Sequence, residues 1–268
     1  MEINEFSSSM ILVKISYISV FLMLICAEYF LKSKRATASA DEGREIGLNI
    51  CIGLLFGVLS TFVNAVGLTL FKSGLSWFPG HQYSSWWMEF FVAFVTLDLM
   101  YYWNHRLNHK VPLMWKAHSV HHSGKHYNLS LGPRQSLVQS VFALPFYVPL
   151  IFLGISLPVF LSVSVVSILY QFLTHAHLTF DIPVLHRIFV LPRHHIVHHS
   201  SSQKDYDKNF GGVFIIWDHL FGTFQDYRDD IQIGATQEDR FDEQNSFWQK
   251  VLLVFYPVRF YSEYKGLR

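Results

Sequence analysis

The stretch that decides the architecture of this chain runs from Asp98 to His122 and reads DLMYYWNHRLNHKVPLMWKAHSVHH. Five histidines lie between His105 and His122, directly after an apolar segment. A second group comes much later, where residues 194–199 read HHIVHH. The spacings are H-x-x-x-H, H-x-x-H-H and again H-x-x-H-H. No single spacing is specific, but all three in this order, on a chain with long apolar segments, indicate a shared metal site.

Helix geometry explains why these spacings matter. At about 100° per residue, a residue shares a helix face with the residues three and four positions away, so His105 and His109 point the same way. In each H-x-x-H-H group, the first histidine likewise shares a helix face with the histidines three and four positions after it. Neutral imidazole is the commonest protein ligand for a transition metal. Eight imidazoles exceed what one ion needs, so the pattern favours two ions.

A simpler interpretation of the histidines has to be weighed beside the metal site. A lone histidine is usually a hydrogen-bonded core or surface residue, and adjacent histidines near a membrane can form a pH-sensitive patch. Neither alternative explains three repeats of metal-ligand spacing. The pattern as a whole therefore favours metal binding.

The composition indicates a membrane protein with no nucleic-acid partner. Of the 268 residues, 51% are hydrophobic and 15% are charged, and the formal net charge is +1. A nucleic-acid-binding chain would carry a basic run, and this one has none. The two cysteines, Cys26 and Cys51, lie in apolar stretches and provide neither a disulfide framework nor a thiolate metal site.

Three apolar segments are long enough to cross a bilayer, which takes about 20 residues. They are Met10–Leu31, Ile46–Phe71 and, approximately, Trp86–Trp103. The chain starts with Glu2 and Glu5 rather than with basic residues, and the first segment is long. We therefore expect a retained transmembrane helix and not a signal peptide.

Further apolar stretches follow the first histidines. Leu137–Leu178 is long enough for two crossings, or for a hairpin that turns near Gly154–Pro158. The piece Phe214–Gly222 is too short to span, so it is expected to pack on the histidine-rich domain or to lie at the interface. The aromatic and basic stretch Phe247–Tyr264 is typical of an interfacial helix. The predicted fold is all-α, an integral membrane protein with about four to five membrane-inserted helices.

Basic residues set the predicted orientation. Lys32, Lys34 and Arg35 follow the first segment and place the first loop in the cytoplasm. The third segment then delivers the first histidines to the cytoplasmic face, and a hairpin at 137–178 returns the last group to the same face. We expect a multi-pass protein with an N-terminal transmembrane region at 1–85, a cytoplasmic histidine-rich catalytic domain at 86–235 and an interfacial tail at 236–268.

The phrases around the histidines resemble the fatty acid hydroxylase/sterol desaturase superfamily. Within it, the likeness is strongest to the alkylglycerol monooxygenases, and it covers roughly residues 86–235. The phrases are MW-x-x-H-x-x-HHS at 114–123, YNLS at 127–130, RQS at 134–136, YQF at 170–172, HH-x-V-HH at 194–199, DKNF-x-GV at 207–213 and WD-x-x-FGT at 217–223.

This resemblance implies a membrane-embedded, non-haem di-iron site that uses O2 to hydroxylate an unactivated C–H bond of a lipid, which is a fatty acyl, sterol or alkyl ether chain. His194 is a candidate ligand, or a neighbour of the ligands. Asp98, Asn128 and Asp218 are candidates to orient ligand imidazoles, although Asp98 can equally be a capping or interfacial carboxylate. The implied iron ligands are His105, His109, His118, His121, His122, His195, His198 and His199, with His175 as a ninth. The histidines expected not to bind metal are His81, His126, His177, His186 and His219.

The resemblance also bears on the source of electrons. No haem or flavin motif occurs in the chain, so an external electron donor is expected. Tetrahydrobiopterin is one candidate, but Lys110 stands where the alkylglycerol monooxygenases carry a glutamate. A carboxylate can accept hydrogen bonds from a protonated amino-pyrimidine edge, whereas an ammonium only donates. We therefore favour another reductant.

Three rival functions remain open at the level of sequence. Lipid or sterol desaturation can run on the same site. A dinuclear zinc hydrolase of lipids is a second rival, but two-metal hydrolases commonly use a bridging carboxylate, and none lies inside the histidine groups. A membrane haem carrier is the third, and paired H-x-x-H-H groups outside the apolar segments do not suit it.

Overall fold

A computed structural model describes residues 2–77, 83–177 and 182–234 of the chain. Within these ranges the fold is helical and contains no β-strand, only isolated bridges between Phe189 and Phe214 and between Ser200 and Ile233. The predicted interfacial helix Phe247–Tyr264 lies outside the described residues. The α-helices are α1 (Glu2–Lys34), α2 (Ala40–Trp77), α3 (Trp86–Lys110), α4 (Pro112–His122), α5 (Leu137–Ala143), α6 (Val148–Phe152), α7 (Leu157–Leu173), α8 (Pro192–His198) and α9 (Ile216–Leu220).

Among the described residues, two helices are long and apolar enough to cross a membrane, and α3 (Trp86–Lys110), which holds the third predicted segment, is not one of them. The two helices are Ser16–Lys34 of α1 and the whole of α2. α2 begins earlier than the predicted segment at Ile46, because Ser39 Oγ accepts a hydrogen bond from Glu42 N at 3.0 Å and caps the helix. The all-α class is confirmed for the described residues, while the total of four to five inserted helices stays a prediction.

α3 joins the third predicted span to the first histidines in one continuous helix. Ser85 Oγ accepts from Met88 N at 3.2 Å and starts it, and Pro112 opens α4 two residues after it ends. The apolar run 137–152 comprises α5, a 3-10 turn and α6. It is followed by a turn in which Gly154 has φ +67°, and then by α7, so the turn predicted near Gly154–Pro158 is present.

The main apolar core is formed by α2, α3, α6 and α7, where Phe71 stacks on Phe160 at 4.5 Å between ring centroids. The glycines of the apolar segment Ile46–Phe71, which are Gly53, Gly57 and Gly67, predict close helix contacts, and two of them make close contacts. A Cβ at Gly53 would be 2.8 Å from Pro133 Cβ, and a Cβ at Gly67 would be 2.7 Å from Leu144 Cδ2.

The sequence also predicts a buried, partnered Asn64 in this segment, and two of these expectations for α2 were wrong. A Cβ at Gly57 would meet nothing within 4 Å, so this glycine makes no close helix contact. Asn64, expected to be a buried polar group, is exposed. The buried amide of this helix is Asn49, which donates to Ser130 Oγ at 2.9 Å and accepts from Arg134. The loop at 128–134 thus buries the first half of α2 at Asn49, whereas Phe71 in the second half is buried by the main apolar core.

Carboxylates on α1 and α2 attach these helices to the histidine-rich region. Glu28 accepts from the backbone amides of Leu129 and His177, both at 2.8 Å. Glu45 accepts from Lys125 N at 2.7 Å and contacts the His126 ring. The first two helices thus fix the position of the loop that follows α4, and this loop forms part of the site.

Candidate metal centre

All nine histidines implied as ligands come together in two adjacent groups. Within each group the ligand nitrogens, one from each ring, lie within 4.8 Å of one another. The groups adjoin where the rings of His122 and His199 stack at 4.4 Å between centroids. The first group is His105, His109, His118, His122 and His198, and the second is His121, His175, His195 and His199.

Each H-x-x-H-H box is divided between the two groups. In α4, His118 and His122 belong to the first group and His121 to the second. The third and fourth positions after a residue lie about 60° behind it and about 40° ahead of it on the helix, so their side chains diverge by about 100°. One box can therefore supply two neighbouring sites, and the last box, at 195–199, is divided in the same way.

The histidine rings are oriented by backbone carbonyls. The Nδ1 atoms of His105, His198 and His175 lie 2.9, 2.8 and 2.8 Å from the carbonyl oxygens of Phe210, Lys208 and Gln171 respectively. A carbonyl can only accept, so Nδ1 carries the proton in each ring. Nε2 is then left with its lone pair directed into the site, as in a metal-ligating histidine.

Facing nitrogens provide a test of whether these residues fit metal ions. His105 Nε2 and His118 Nε2 are 3.1 Å apart, and His175 Nε2 lies 3.2 Å from His121 Nε2. His118 Nδ1 faces Gln139 Oε1 at 3.2 Å and His121 Nδ1 faces the Arg134 carbonyl at 3.3 Å. With the proton on Nδ1 in all four rings, these contacts bring Nε2 lone pairs together, which repel without a cation between them. Ligands about 2.1 Å from an ion, at angles of about 90–109°, have nitrogens about 3.0–3.4 Å apart. The observed spacing agrees with that range.

Buried nitrogens without partners support the same conclusion. In the part of the chain that the structure describes, four ring nitrogens in the two groups are buried and have no hydrogen-bond partner. Buried polar atoms are normally paired, so each of these needs a ligand. They are His109 Nε2, His195 Nδ1, His198 Nε2 and His199 Nε2.

Burial also keeps the imidazoles in their metal-binding form. It lowers the pKa of His105 and of His175 to about 4, because the charged form is desolvated. The pKa of His121 is lowered for the same reason, with the neighbouring His175 as a second cause. The rings are therefore neutral at physiological pH, as ligation requires.

His194 lies outside both groups. Its Nδ1 accepts a hydrogen bond from Leu191 N at 3.1 Å, so the neutral ring carries its proton on Nε2, which faces His186 Nδ1 at 3.3 Å. That tautomer leaves no free lone pair for an ion. His194, His186 and Asp226 form a third cluster, and His194 caps α8, which carries histidines of both groups.

Asp98 and Asp218 contact backbone amides rather than imidazoles. Asp98 accepts from Val213 N at 2.7 Å and from Phe214 N at 2.9 Å. Asp218 accepts from Phe210 N at 2.8 Å, and the carbonyl of Phe210 receives the Nδ1 proton of His105. Asp218 therefore acts on a candidate ligand through a single residue.

Asn128 also reaches the site only indirectly. Its Oδ1 accepts from Ser130 N at 3.0 Å and its Nδ2 donates to Glu42 Oε1 at 3.1 Å. It caps the 3-10 turn Leu129–Leu131, which packs beside Tyr127. Of the other histidines, His126 pairs with Glu45 away from the two groups.

Several residues that shape the site were not identified from the sequence. Gln139 Oε1 lies 3.2 Å from His118 Nδ1, and the ring of Trp115 packs on His109 at 4.9 Å. The carbonyls that receive Nδ1 protons carry no sequence signal, because every residue has one. Gln139 has a weak signal, since a polar residue at the start of the apolar run 137–178 needs a partner.

Comparison with known proteins places these residues in a family. An alkylglycerol monooxygenase of Danio rerio is 41% identical over 152 residues, 57% of this chain and 33% of that protein. The Homo sapiens alkylglycerol monooxygenase is 34% identical over 223 residues, 82% of this chain and 48% of that protein. An ornithine lipid hydroxylase of Rhizobium tropici is 33% identical over 160 residues, 58% of this chain and 48% of that protein.

The chain thus spans less than half the length of the curated relatives it matches. No solved structure matches it. The sequence model of the fatty acid hydroxylase family matches residues 90–223, half of the chain, and that range holds both histidine groups and the carbonyls that orient them. The protein belongs to the fatty acid hydroxylase family.

Proposed function

We propose that this protein is a membrane-bound non-haem di-iron oxygenase that hydroxylates a lipid with O2. The observation that carries the proposal is the pair of adjacent all-histidine groups with lone pairs directed inward. The family, and relatives named for alkylglycerols and ornithine lipids, support a lipid substrate. The proposed substrate is a fatty acyl, sterol or alkyl ether chain, and analysis of the oxidised product identifies which of the three it is.

In this proposal each histidine group holds one ferrous ion. Bound iron would supply the O2 activation and C–H oxidation that imidazole cannot perform. The chain's own residues keep the ligand lone pairs aimed inward, through the carbonyls of Phe210, Lys208 and Gln171. Trp115 packs against the rings of His109 and His122 and helps to keep water out. Domain limits of 86–235 remain our proposal for the catalytic unit.

The length of α3 supports the proposed topology. Trp86 and His105 are separated along the helix by about 28 Å, close to the roughly 30 Å of a hydrocarbon core. Trp77, Trp86 and Trp87 are exposed at the end away from the histidines, as expected of an interfacial belt. With Lys32 and Lys34 in the cytoplasm, the metal centre lies on the cytoplasmic side.

The electron donor is proposed to be a protein or a small reductant other than tetrahydrobiopterin. Lys110 Nζ donates to Asp207 Oδ2 at 2.5 Å, so the position that carries a glutamate in the alkylglycerol monooxygenases is a cation paired within the protein. Purified iron-loaded protein should therefore oxidise lipid with a ferredoxin system and fail with tetrahydrobiopterin alone. Robust turnover driven by the pterin would contradict this part of the proposal.

The central test combines metal analysis with product analysis. Protein from iron-replete cells should contain close to two irons per chain, and anaerobic removal and restoration of iron should remove and restore function. A single ion with full activity would contradict the di-iron proposal. Lipids from cells with and without the gene should differ by added oxygen. A new double bond would instead identify a desaturase, and metal-dependent release of head groups would identify a hydrolase.

A further inference from the structure

An apolar lobe projects from the histidine-rich region next to α3 and α7. It consists of residues 182–190 and 213–221, which we call the apolar lobe. Its two segments are tied by backbone hydrogen bonds from Val190 N to Val213 O at 2.8 Å and from Ile215 N to Ile188 O at 3.0 Å. The lobe is therefore one structural unit, although its halves are distant in sequence.

Most of the outer surface of the lobe is apolar, and Arg187 and His219 are its exposed polar side chains. Val184 is 71% exposed and Leu220 is 69% exposed, and four more aliphatic side chains of the same two segments are exposed as well. Soluble proteins rarely leave contiguous patches of this kind open to water, because each Å² of apolar surface costs about 25 cal/mol there. The four are Ile182, Leu185, Ile188 and Ile216.

The lobe reaches well along the helices that lead away from the metal centre. Phe214 packs edge-on against Phe94 of α3 at 5.6 Å between ring centroids, and Phe189 contacts Tyr170 of α7 at 6.3 Å. Phe94 precedes His105 by about 16 Å of helix. The lobe thus extends about halfway from the histidines to the level of Trp86.

Asp98 provides hydrogen bonds for the non-helical backbone of the lobe at this depth. Inside a bilayer no water is present to hydrogen-bond free N–H groups, so non-helical backbone must be satisfied by protein. The buried Asp98 carboxylate accepts from Val213 N, from Phe214 N and, at 2.9 Å, from Trp217 Nε1. A carboxylate from the neighbouring helix α3 thus accepts the hydrogen bonds that water would accept if the lobe lay on a soluble surface.

We propose that the apolar lobe is a re-entrant element inserted into the membrane leaflet next to the metal centre, with its exposed aliphatic side chains against lipid acyl chains. On α7, which contacts the lobe through Tyr170, Leu173 is also exposed. The proposal rests on α3 crossing the membrane, as proposed above. A lipid that slides along the lobe approaches the histidine groups without leaving the leaflet.

Depth-dependent quenching tests the proposal. Single cysteines at Val184 and Ile216 are labelled with an environment-sensitive fluorophore, in a background of Cys26→Ser and Cys51→Ser. The protein is reconstituted in liposomes that contain lipids brominated along the acyl chain. Phe91→Cys on the exposed face of α3 is the lipid-facing control, and Asp229→Cys on the polar surface is the water-facing control.

The expected result is that emission at Val184→Cys and Ile216→Cys is quenched as strongly as at Phe91→Cys, while Asp229→Cys is not quenched. Quenching at Phe91→Cys alone would overturn the lobe proposal and leave the transmembrane role of α3 intact. In that case the lobe is covered by a soluble partner, a second copy or residues 235–268. Absence of quenching at all sites would instead contradict the proposed topology itself. Retained iron content shows that each variant is folded.

Discussion

At the scale of the residue, most of the candidate ligands are held from outside the site. The carbonyl of Phe210 takes the Nδ1 proton of His105, and the carbonyl of Lys208 takes that of His198. Both carbonyls belong to the loop 207–213, which is held by Asp98 and Asp218. The orientation of the ligands therefore depends on buried carboxylates that do not touch them.

Removing one histidine from either group should release metal. We expect His121→Ala to empty the second group, and His198→Ala the first, with loss of iron and of lipid oxidation in both variants. His186→Ala is the matched control, because His186 lies with His194 and Asp226 outside both groups. Iron per chain and product formation are measured together. If His186→Ala lost as much iron as the others, the assignment of the two groups would be wrong.

Reversing the charge at Lys110 should have a small effect on stability. The pair with Asp207 is partly exposed, at 52% and 37% of the two side chains, so Lys110→Glu should cost no more than about 1 kcal/mol. The double variant Lys110→Glu, Asp207→Lys should recover most of that loss, as followed by thermal denaturation. Failure of the double variant to recover would mean that Lys110 acts through another contact.

At the scale of the element, α2 packs against the loop at 128–134, whose backbone contacts the ring of His121. Gly53 packs on Pro133, whose neighbour Arg134 has its carbonyl 3.3 Å from His121 Nδ1. A small residue at this point lets the helix approach the loop closely. The N-terminal helices therefore contribute to the geometry of the second histidine group.

A methyl group at two positions of α2 should have opposite consequences. Gly53→Ala brings Cβ to 2.8 Å from Pro133 Cβ, so it should lower thermal stability and reduce iron in the second group. Gly57→Ala meets nothing within 4 Å and should leave both unchanged or slightly improved, since alanine favours helix. Equal losses in the two variants would show that the effect comes from the helix itself and not from the contact with the loop.

At the scale of the whole molecule, the candidate metal centre is a dense set of buried imidazoles whose protonation opposes folding. His105 and His175 have a pKa of about 4 in the folded protein, below the usual 6.5, because burial penalises their charged form. The unfolded chain therefore binds more protons between these values. Their contribution to stability is complete above about pH 6.5 and is lost as the pH falls toward 4.

Iron-free protein should accordingly be destabilised by acid across that window, and ferrous iron should oppose the effect. Metal binds the folded, neutral rings and stabilises them by mass action, so the iron-loaded protein should unfold at lower pH than the iron-free protein. Thermal denaturation under anaerobic conditions, at a series of pH values with and without ferrous iron, measures both. A stability of the iron-free protein that rises from pH 6.5 to 4 would contradict the buried-imidazole account.

Much of this protein was already determined by its sequence. The helical class, the apolar lengths of α1 and α2 and the turn at Gly154 follow from composition and periodicity, which act over a few residues. The identity of the nine histidines follows from residue type and spacing, together with the family resemblance. Their ligand role remains a prediction that the metal analysis addresses.

Only the tertiary structure decided how those residues are arranged. It divides each H-x-x-H-H box between two groups, assigns His194 to capping α8, directs Asp98 to the amides of Val213 and Phe214, and pairs Lys110 with Asp207. These contacts join positions as much as 116 residues apart, between Asp98 and Phe214. Helix periodicity predicts which side chains share a face, because that depends on neighbouring residues. It does not predict what the face meets, because that depends on packing between distant parts of the chain.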